Sequence, residues 1–217
     1  MRILSGKLKG SKILTNHKKF KGSESFITRP TSDRVKETLF NIIEHGFNID
    51  FSNISFLDCF SGSGAVGFEA ISRGCSIVSF LDKDSAACEC ITKNLAKFKL
   101  HENGQVNSIR IINYDFFEKK VSPNNKFDVV YLDPPYAPEK KDAFVEYTKE
   151  GFSLEQHQLL FKKIKEIKNY NFIMSNSNVK LVTDNFNDYI IERIIARRAI
   201  NSKNPAAIAK EVVIYNE

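Results

Sequence analysis

At 217 residues, with 42% hydrophobic and 27% charged side chains, the chain suits one sheet-centred α/β domain with a substantial core. Its apolar stretches fall well short of the ~18 residues needed to cross a bilayer, and Met1–Gly6 does not read as a signal peptide, so no membrane association and a cytoplasmic location are expected. The net charge of +6 is uneven: residues 1–36 hold ten basic against two acidic side chains, a balance of +8 that leaves −2 for the rest and favours a polyanionic partner.

In chain order, residues 1–14 alternate around Gly6 and Gly10 like a small hairpin, and 15–28 form a polar loop. Together they make a basic leader, residues 1–28, ahead of a single domain over 29–217. A solvated lysine-rich tail is the bland reading of the same charge. Thr31-Ser32-Asp33 can cap a helix in which Val35, Leu39, Ile42 and Ile43 share one face. Strand and helix then alternate: strand 54–60, helix 65–73, strand 76–81, helix 84–99, strands 108–113 and 127–132. That alternation predicts a parallel sheet with helices on both faces. Leu154, His157, Leu160, Phe161 and Ile164 make another helical face, and Asn171–Ser175 reads as a fifth strand. The runs 189–196 and 210–215 predict a terminal antiparallel hairpin, giving seven strands in all. The four histidines fall on segments expected at the surface and receive no chemistry. Cys59, Cys75, Cys88 and Cys90 lack C-x-x-C spacing and suitable histidine neighbours, so no metal is expected.

Two stretches carry the chemistry. After the first strand, Gly62, Gly64 and Gly67 satisfy G-x-G-x-x-G at a strand-to-helix junction, where glycines permit a tight turn and close approach to a nucleoside. The second strand ends in Asp82, twenty positions beyond Gly62, where a carboxylate meets ribose hydroxyls. Up to this point a dinucleotide fits as well as S-adenosylmethionine, and a purely structural turn fits too. Asp58, four residues before Gly62, favours the second cofactor, because a carboxylate there faces the cationic methionyl end and repels a pyrophosphate. The candidate cofactor contacts at this turn are Asp58, Phe60, Gly62, Gly64 and Asp82. Asp115, after the third strand, suits either a hydrogen bond from the cofactor's adenine amino group or a cap on Phe116–Glu118.

The second stretch is Asp133-Pro134-Pro135-Tyr136, directly after the run 127–132. Prolines lack a backbone donor, so local carbonyls face outward beside the Asp133 carboxylate, and two acceptors can hold an exocyclic amino group by both its hydrogens. Tyr136 can stack on a base, and a base held this way has left its helical stack. A Pro-Pro turn that merely ends a strand is the alternative. All four residues are candidate catalytic positions. Small-molecule and protein-glutamine methyltransferases can carry a similar slot, but the concentrated positive charge favours nucleic acid. A binding protein keeping only the shell of such an enzyme is disfavoured by the intact Asp58, Gly62, Gly64 and Asp133.

The segments 2–10, 28–42 and 57–70 closely resemble the bacterial small-subunit ribosomal RNA guanine-2-amino methyltransferase family, and the resemblance extends over residues 1–136. It implies a Rossmann-like class I S-adenosylmethionine-dependent methyltransferase with a mostly parallel seven-stranded sheet. It also implies Arg29 and Thr31 near the methionine moiety, and a basic leader that faces RNA. The second half, at 147–153, 174–177 and 196–203, instead resembles Dam-type DNA adenine-6-amino methylases. Those enzymes place a helical target-recognition insert ahead of the Asp-Pro-Pro-Tyr segment. The 65 residues between Gly67 and Asp133 leave no room for one. The expected activity is therefore methylation of a guanine 2-amino group in small-subunit ribosomal RNA or its particle, with methylation of the adenine 6-amino group in DNA as the alternative.

Overall fold

A computed structural model describes residues 1–15, 31–100, 107–118, 127–138, 152–166, 170–197 and 208–216. The strands are β1 (Ser55–Cys59), β2 (Ile77–Asp82), β3 (Ser108–Asn113), β4 (Val129–Leu132), β5 (Asn171–Ser177), β6 (Ile190–Arg197) and β7 (Ile208–Tyr215). They form a mixed seven-stranded sheet in the order β3-β2-β1-β4-β5-β7-β6. The helices are α1 (Asp33–Asn41), α2 (Ala65–Ser72), α3 (Ser85–Lys97), α4 (Leu154–Lys165) and α5 (Lys180–Thr183). The α/β sheet with its terminal hairpin is the architecture expected from the sequence. The chain divides into two compact units, Met1–Thr31 with Asn48–Asp128 and Ser32–Phe47 with Val129–Glu217.

In the first unit β1, β2 and β3 are parallel neighbours. The middle strand is buried over Val78–Leu81, while β3 is half-exposed along its length. Phe68 of α2 lies against Phe80 of β2, with ring centroids 5.1 Å apart, and 5.4 Å from Phe98 at the end of α3. Asp84 caps α3 by accepting from the Ala86 amide. Residues 1–15 belong to this unit and carry an isolated antiparallel bridge, Arg2 to Lys12. They are fastened to α2 and α3. The buried Glu69 carboxylate accepts from the Leu4 and Ser5 amides at 2.7 and 2.9 Å and from Arg73 Nε at 3.1 Å. Asn94 closes the other end, accepting from the Leu14 amide at 2.8 Å and donating to the Leu14 carbonyl at 3.1 Å. Gly6 is demanded by this docking: its φ is +77°, and a Cβ would lie 1.8 Å from the Ser72 carbonyl oxygen.

In the second unit β4 runs parallel to β5, and β5, β7 and β6 are antiparallel in that order. The last strand therefore sits inside the sheet and β6 at its edge. The residues explain the placement: Val212, Val213 and Ile214 form a continuous buried run, as an interior strand requires, whereas β6 interrupts its isoleucines with Glu192 and Arg193 and leaves Ile195 60% exposed. Ser32 caps α1 through the Val35 amide at 3.2 Å, as its position before the apolar run predicts. Past Asn41 the helix loosens into a π-turn over Ile42–Gly46 that keeps Ile42 and Ile43 buried. A full capping box, Ser153 with Gln156, starts α4. Phe161, Phe172, Phe186 and Tyr189 pack edge-on with centroids 5.1–5.5 Å apart. The expected 15–28 loop and the segment after Pro138 lie almost wholly outside the described residues. No helix among the described residues is long and apolar enough to cross a membrane.

Candidate functional site

The glycine turn after β1 is built by carboxylates that accept backbone amides. Asp58, 1% exposed, accepts the Gly67 N–H at 2.9 Å, which is an early donor of α2 without a partner inside its own helix. Gly64 precedes the helix in the left-handed region at φ +77° and offers no side-chain cap, so Asp58 supplies the anion at the positive end of the helix. Gly67 serves packing: a Cβ there would sit 2.2 Å from Phe80 Cε1, so the helix meets the sheet closely only with glycine. Ser61 is turned inward, its hydroxyl 2.7 Å from the Asp58 carbonyl oxygen. Phe60, a non-glycine residue at φ +59°, sets the bend out of the strand and stacks against Phe116 with centroids 5.3 Å apart.

Asp82 ties β2 to the same turn. One carboxylate oxygen accepts the Gly62 N–H at 2.8 Å and the other the Asp84 N–H at 2.9 Å. Burial raises its pKa, and the two amide hydrogen bonds oppose that shift. A carboxylate offers about four acceptor positions, so a ribose diol can still be received there. Asp115 accepts from the Phe117 amide at 2.9 Å and its carbonyl from the Glu118 amide at 3.0 Å, so it caps a turn at this point. These donors bear on the cofactor. A pyrophosphate bound at a helix N-terminus needs free amides, but the Gly62 and Gly67 amides are already engaged by Asp82 and Asp58. The donor set fits a nucleoside cofactor that carries positive charge. Thr31 is half-buried, and Arg29 lies outside the described residues.

In the second unit Asp133-Pro134-Pro135-Tyr136 follows β4 without regular secondary structure, with Pro134 buried, Pro135 exposed and the two flanking residues half-buried. The segment is held from β5 and α4. The Ser175 hydroxyl donates to Asp133 Oδ1 at 2.6 Å and lies 2.9 Å from the Tyr131 hydroxyl. Asn176 Oδ1 accepts the Ala137 N–H at 2.9 Å, and the Ser177 hydroxyl donates to the Ala137 carbonyl. Among the described residues Asn176 Nδ2 is buried with no hydrogen-bond partner, a cost of order 1–3 kcal/mol.

His157 corrects an expectation. The sequence places it at the surface, but it is fully buried on α4, with Nε2 3.1 Å from the Pro135 carbonyl and Nδ1 2.9 Å from the Ser153 carbonyl. Its helical spacing with Leu160, Phe161 and Ile164 was the signal that could have placed it inside. Burial lowers its pKa and outweighs the two carbonyls that favour the cation. The Pro135 carbonyl lies within hydrogen-bond reach of His157 Nε2, so the tautomer that carries its proton there takes one acceptor position of this carbonyl from within. Ser175, Asn176 and Ser177 were likewise not singled out as site residues.

Among the described residues no group of three or more histidine, cysteine, aspartate or glutamate side chains can hold a metal ion. Burial pushes the Cys59 thiol up, with Asp58 adding to the shift, and raises Cys75 to about 11, so neither suits nucleophilic chemistry.

The family model described as "Conserved hypothetical protein 95" matches residues 1–187. A putative rRNA methyltransferase of Bacillus subtilis is 33% identical over 156 residues, which cover 72% of this chain and 78% of that protein. The ribosomal RNA small subunit methyltransferase D of Haemophilus influenzae is 38% identical over 138 residues, covering 63% of this chain and 64% of the relative. Among solved structures, a putative methyltransferase of Escherichia coli superimposes with a TM-score of 0.58 at 22% identity, covering 100% of this chain and 98% of that one. The fold is that of the S-adenosylmethionine-dependent methyltransferases.

Proposed function

From the premise that the chain belongs to the conserved hypothetical protein 95 family, we propose that it is a cytoplasmic enzyme that methylates the exocyclic 2-amino group of a guanine in small-subunit ribosomal RNA. The observation that carries the reading is the held acceptor at Asp133, whose carboxylate is oriented by Ser175 beside two residues without an N–H. The kinship with ribosomal RNA methyltransferases and the exposed Arg2, Lys7, Lys9 and Lys12 of the N-terminal segment support a ribosomal RNA substrate.

Bound, S-adenosylmethionine supplies a sulfonium methyl group for in-line displacement at carbon. Asp58, Phe60, Gly62, Gly64, Asp82 and Asp115 of the first unit are the residues proposed to hold it, with Arg29 and Thr31 toward the methionine end. Asp82 accepts the ribose hydroxyls, and Phe60 with Phe116 offers an aromatic edge to the adenosine. The amino nitrogen of a base is a weak nucleophile, because its lone pair is delocalised into the ring. Asp133 and the Pro134 carbonyl accept its two hydrogens, draw it toward tetrahedral geometry and stabilise the charge that develops on nitrogen. Tyr136 stacks on the extruded base and Pro135 walls the slot. Holding the amine in line accounts for much of the remaining acceleration. After transfer one proton leaves the nitrogen along the Asp133 hydrogen bond to solvent.

The experiment is transfer of a labelled methyl group from S-adenosylmethionine to unmethylated small-subunit particles and, separately, to unmethylated duplex DNA, with mass spectrometry of the nucleosides. N2-methylguanine in the ribosomal RNA is the expected product. N6-methyladenine in DNA would replace this reading with the alternative suggested by the second half of the chain.

A further inference from the structure

We propose that Ser175 and Tyr131 are positioning residues that hold Asp133 as an ionised, oriented hydrogen-bond acceptor through a directed chain of hydroxyls. The inference rests on the proposed role of Asp133 as acceptor for the target amine.

Strand register makes the chain possible. Tyr131 of β4 pairs with Ile173 of β5, and side chains two residues apart on a strand share a face. Tyr131, Asp133, Ile173 and Ser175 therefore project to the same side of the sheet at its carboxyl ends. Tyr131 and Ser175 are both fully buried, so their hydroxyls need partners within the protein. The Ser175 hydroxyl has one proton, and it goes to Asp133 Oδ1 at 2.6 Å. With that proton committed, the 2.9 Å contact between Tyr131 and Ser175 is a hydrogen bond in which the tyrosine hydroxyl donates to the serine oxygen. Both protons point toward the carboxylate. Each bond polarises the next in this dry setting, and the arrangement favours the anion over the acid. It also arrests rotation of the carboxylate, so the acceptor geometry exists before a base arrives.

A proton on Asp133 would invert the chain. The acid would donate to Ser175, and Ser175 would have to donate to Tyr131. With Asp133 ionised both hydroxyl protons point to it, the state that a carboxylate capturing an amino group by its hydrogens requires.

The test reads Asp133 directly. Aspartate carboxyl carbons are labelled with 13C and titrated by NMR, with Asp133→Asn identifying the signal. Ser175→Ala is expected to raise the proton affinity of Asp133 about tenfold, one pH unit, for the lost charge-assisted hydrogen bond. Tyr131→Phe, close to isosteric, is expected to raise it by a smaller, measurable amount, and Ser175→Thr to restore the wild-type titration. The acid limb of kcat/KM should move upward in parallel in the Ala and Phe variants, while the KM for S-adenosylmethionine stays put. If Ser175→Ala does not fold, Tyr131→Phe decides. A titration of Asp133 that is unchanged in the folded variants overturns the relay. An active Asp133→Ala enzyme would instead overturn the acceptor role itself, a result the NMR titration cannot mimic.

Discussion

The glycine turn of the first unit and the Asp-Pro-Pro-Tyr segment of the second are both loops at strand ends, but they are fixed by different means. The turn is held through its backbone amides by carboxylates at the ends of its own and the next strand: Asp58 takes an amide nine residues away and Asp82 one twenty residues away. The second segment owes its shape to side chains from elsewhere. Ser175 reaches Asp133 across 42 positions, Asn176 reaches Ala137 across 39, and His157 reaches Pro135 across 22. A locally braced loop can be read from spacing alone, whereas a remotely braced one exposes its chemistry and hides its supports.

Asp133→Ala breaks the contrast most strongly. It should lower turnover by about 10²–10³-fold, the range for deletion of one transition-state partner, while calorimetry still registers S-adenosylmethionine binding. Wild-type activity in that variant would sink the mechanism. Next comes Glu69→Ala, which leaves two amides of the N-terminal segment and Arg73 without their shared carboxylate. A loss of about 3 kcal/mol in urea denaturation is expected. Gly67→Ala forces a methyl group against the Phe80 ring and should cost about 1–3 kcal/mol by the same measurement. A neutral result would mean that α2 can retreat from β2 without harm.

The remote bracing has a signature in pH. Because the folded protein lowers the pKa of His157 below the usual 6.5, the unfolded chain binds the proton more readily in the interval between. The contribution of His157 to stability is complete above pH ~6.5 and is lost as pH falls through the folded-state value. His157→Gln should flatten the fall in stability as pH drops below ~6.5; an unchanged slope would assign it to other groups. The smallest effect is Ser32→Ala, about 1 kcal/mol from loss of the α1 cap, read as a lowered thermal midpoint.

The legible parts of the molecule follow the same division. The six strands and helices from 54 to 113 and 127 to 132 were visible because β-branched and aromatic runs alternate with amphipathic spacing. Their ends agree to within two residues, the usual scatter of helix and strand ends. Asp58, Gly62, Gly64 and Asp82 could be picked out because the glycine spacing and the ends of two consecutive strands mark them. What spacing could not supply was the tertiary pairing of β4 with β5. Ser175-Asn176-Ser177 reads as an unremarkable polar end of a strand until register brings it beside Asp133 and Ala137. His157 is a related case: its helical spacing with Leu160, Phe161 and Ile164 marks it as inward-facing, but nothing near it in the sequence points to the Pro135 carbonyl that it meets. The short helix α5 was also unforeseen, since four residues carry too little periodicity to show.

The docking of residues 1–15 on α2 and α3 has a consequence for the order in which the protein can be made. The partners of this segment, Glu69, Ser72 and Asn94, follow it by 64 to 80 positions. During synthesis the segment must wait until both helices have emerged and packed on the sheet, because the amides of Leu4, Ser5, Leu8 and Leu14 find their partners only there, whereas those of Ile3, Gly10 and Ile13 bond within the segment itself. Such long-range closure is slow compared with helix formation. The segment thus stays undocked until its later partners have formed, and its basic side chains stay exposed to the surroundings of the nascent chain throughout that interval.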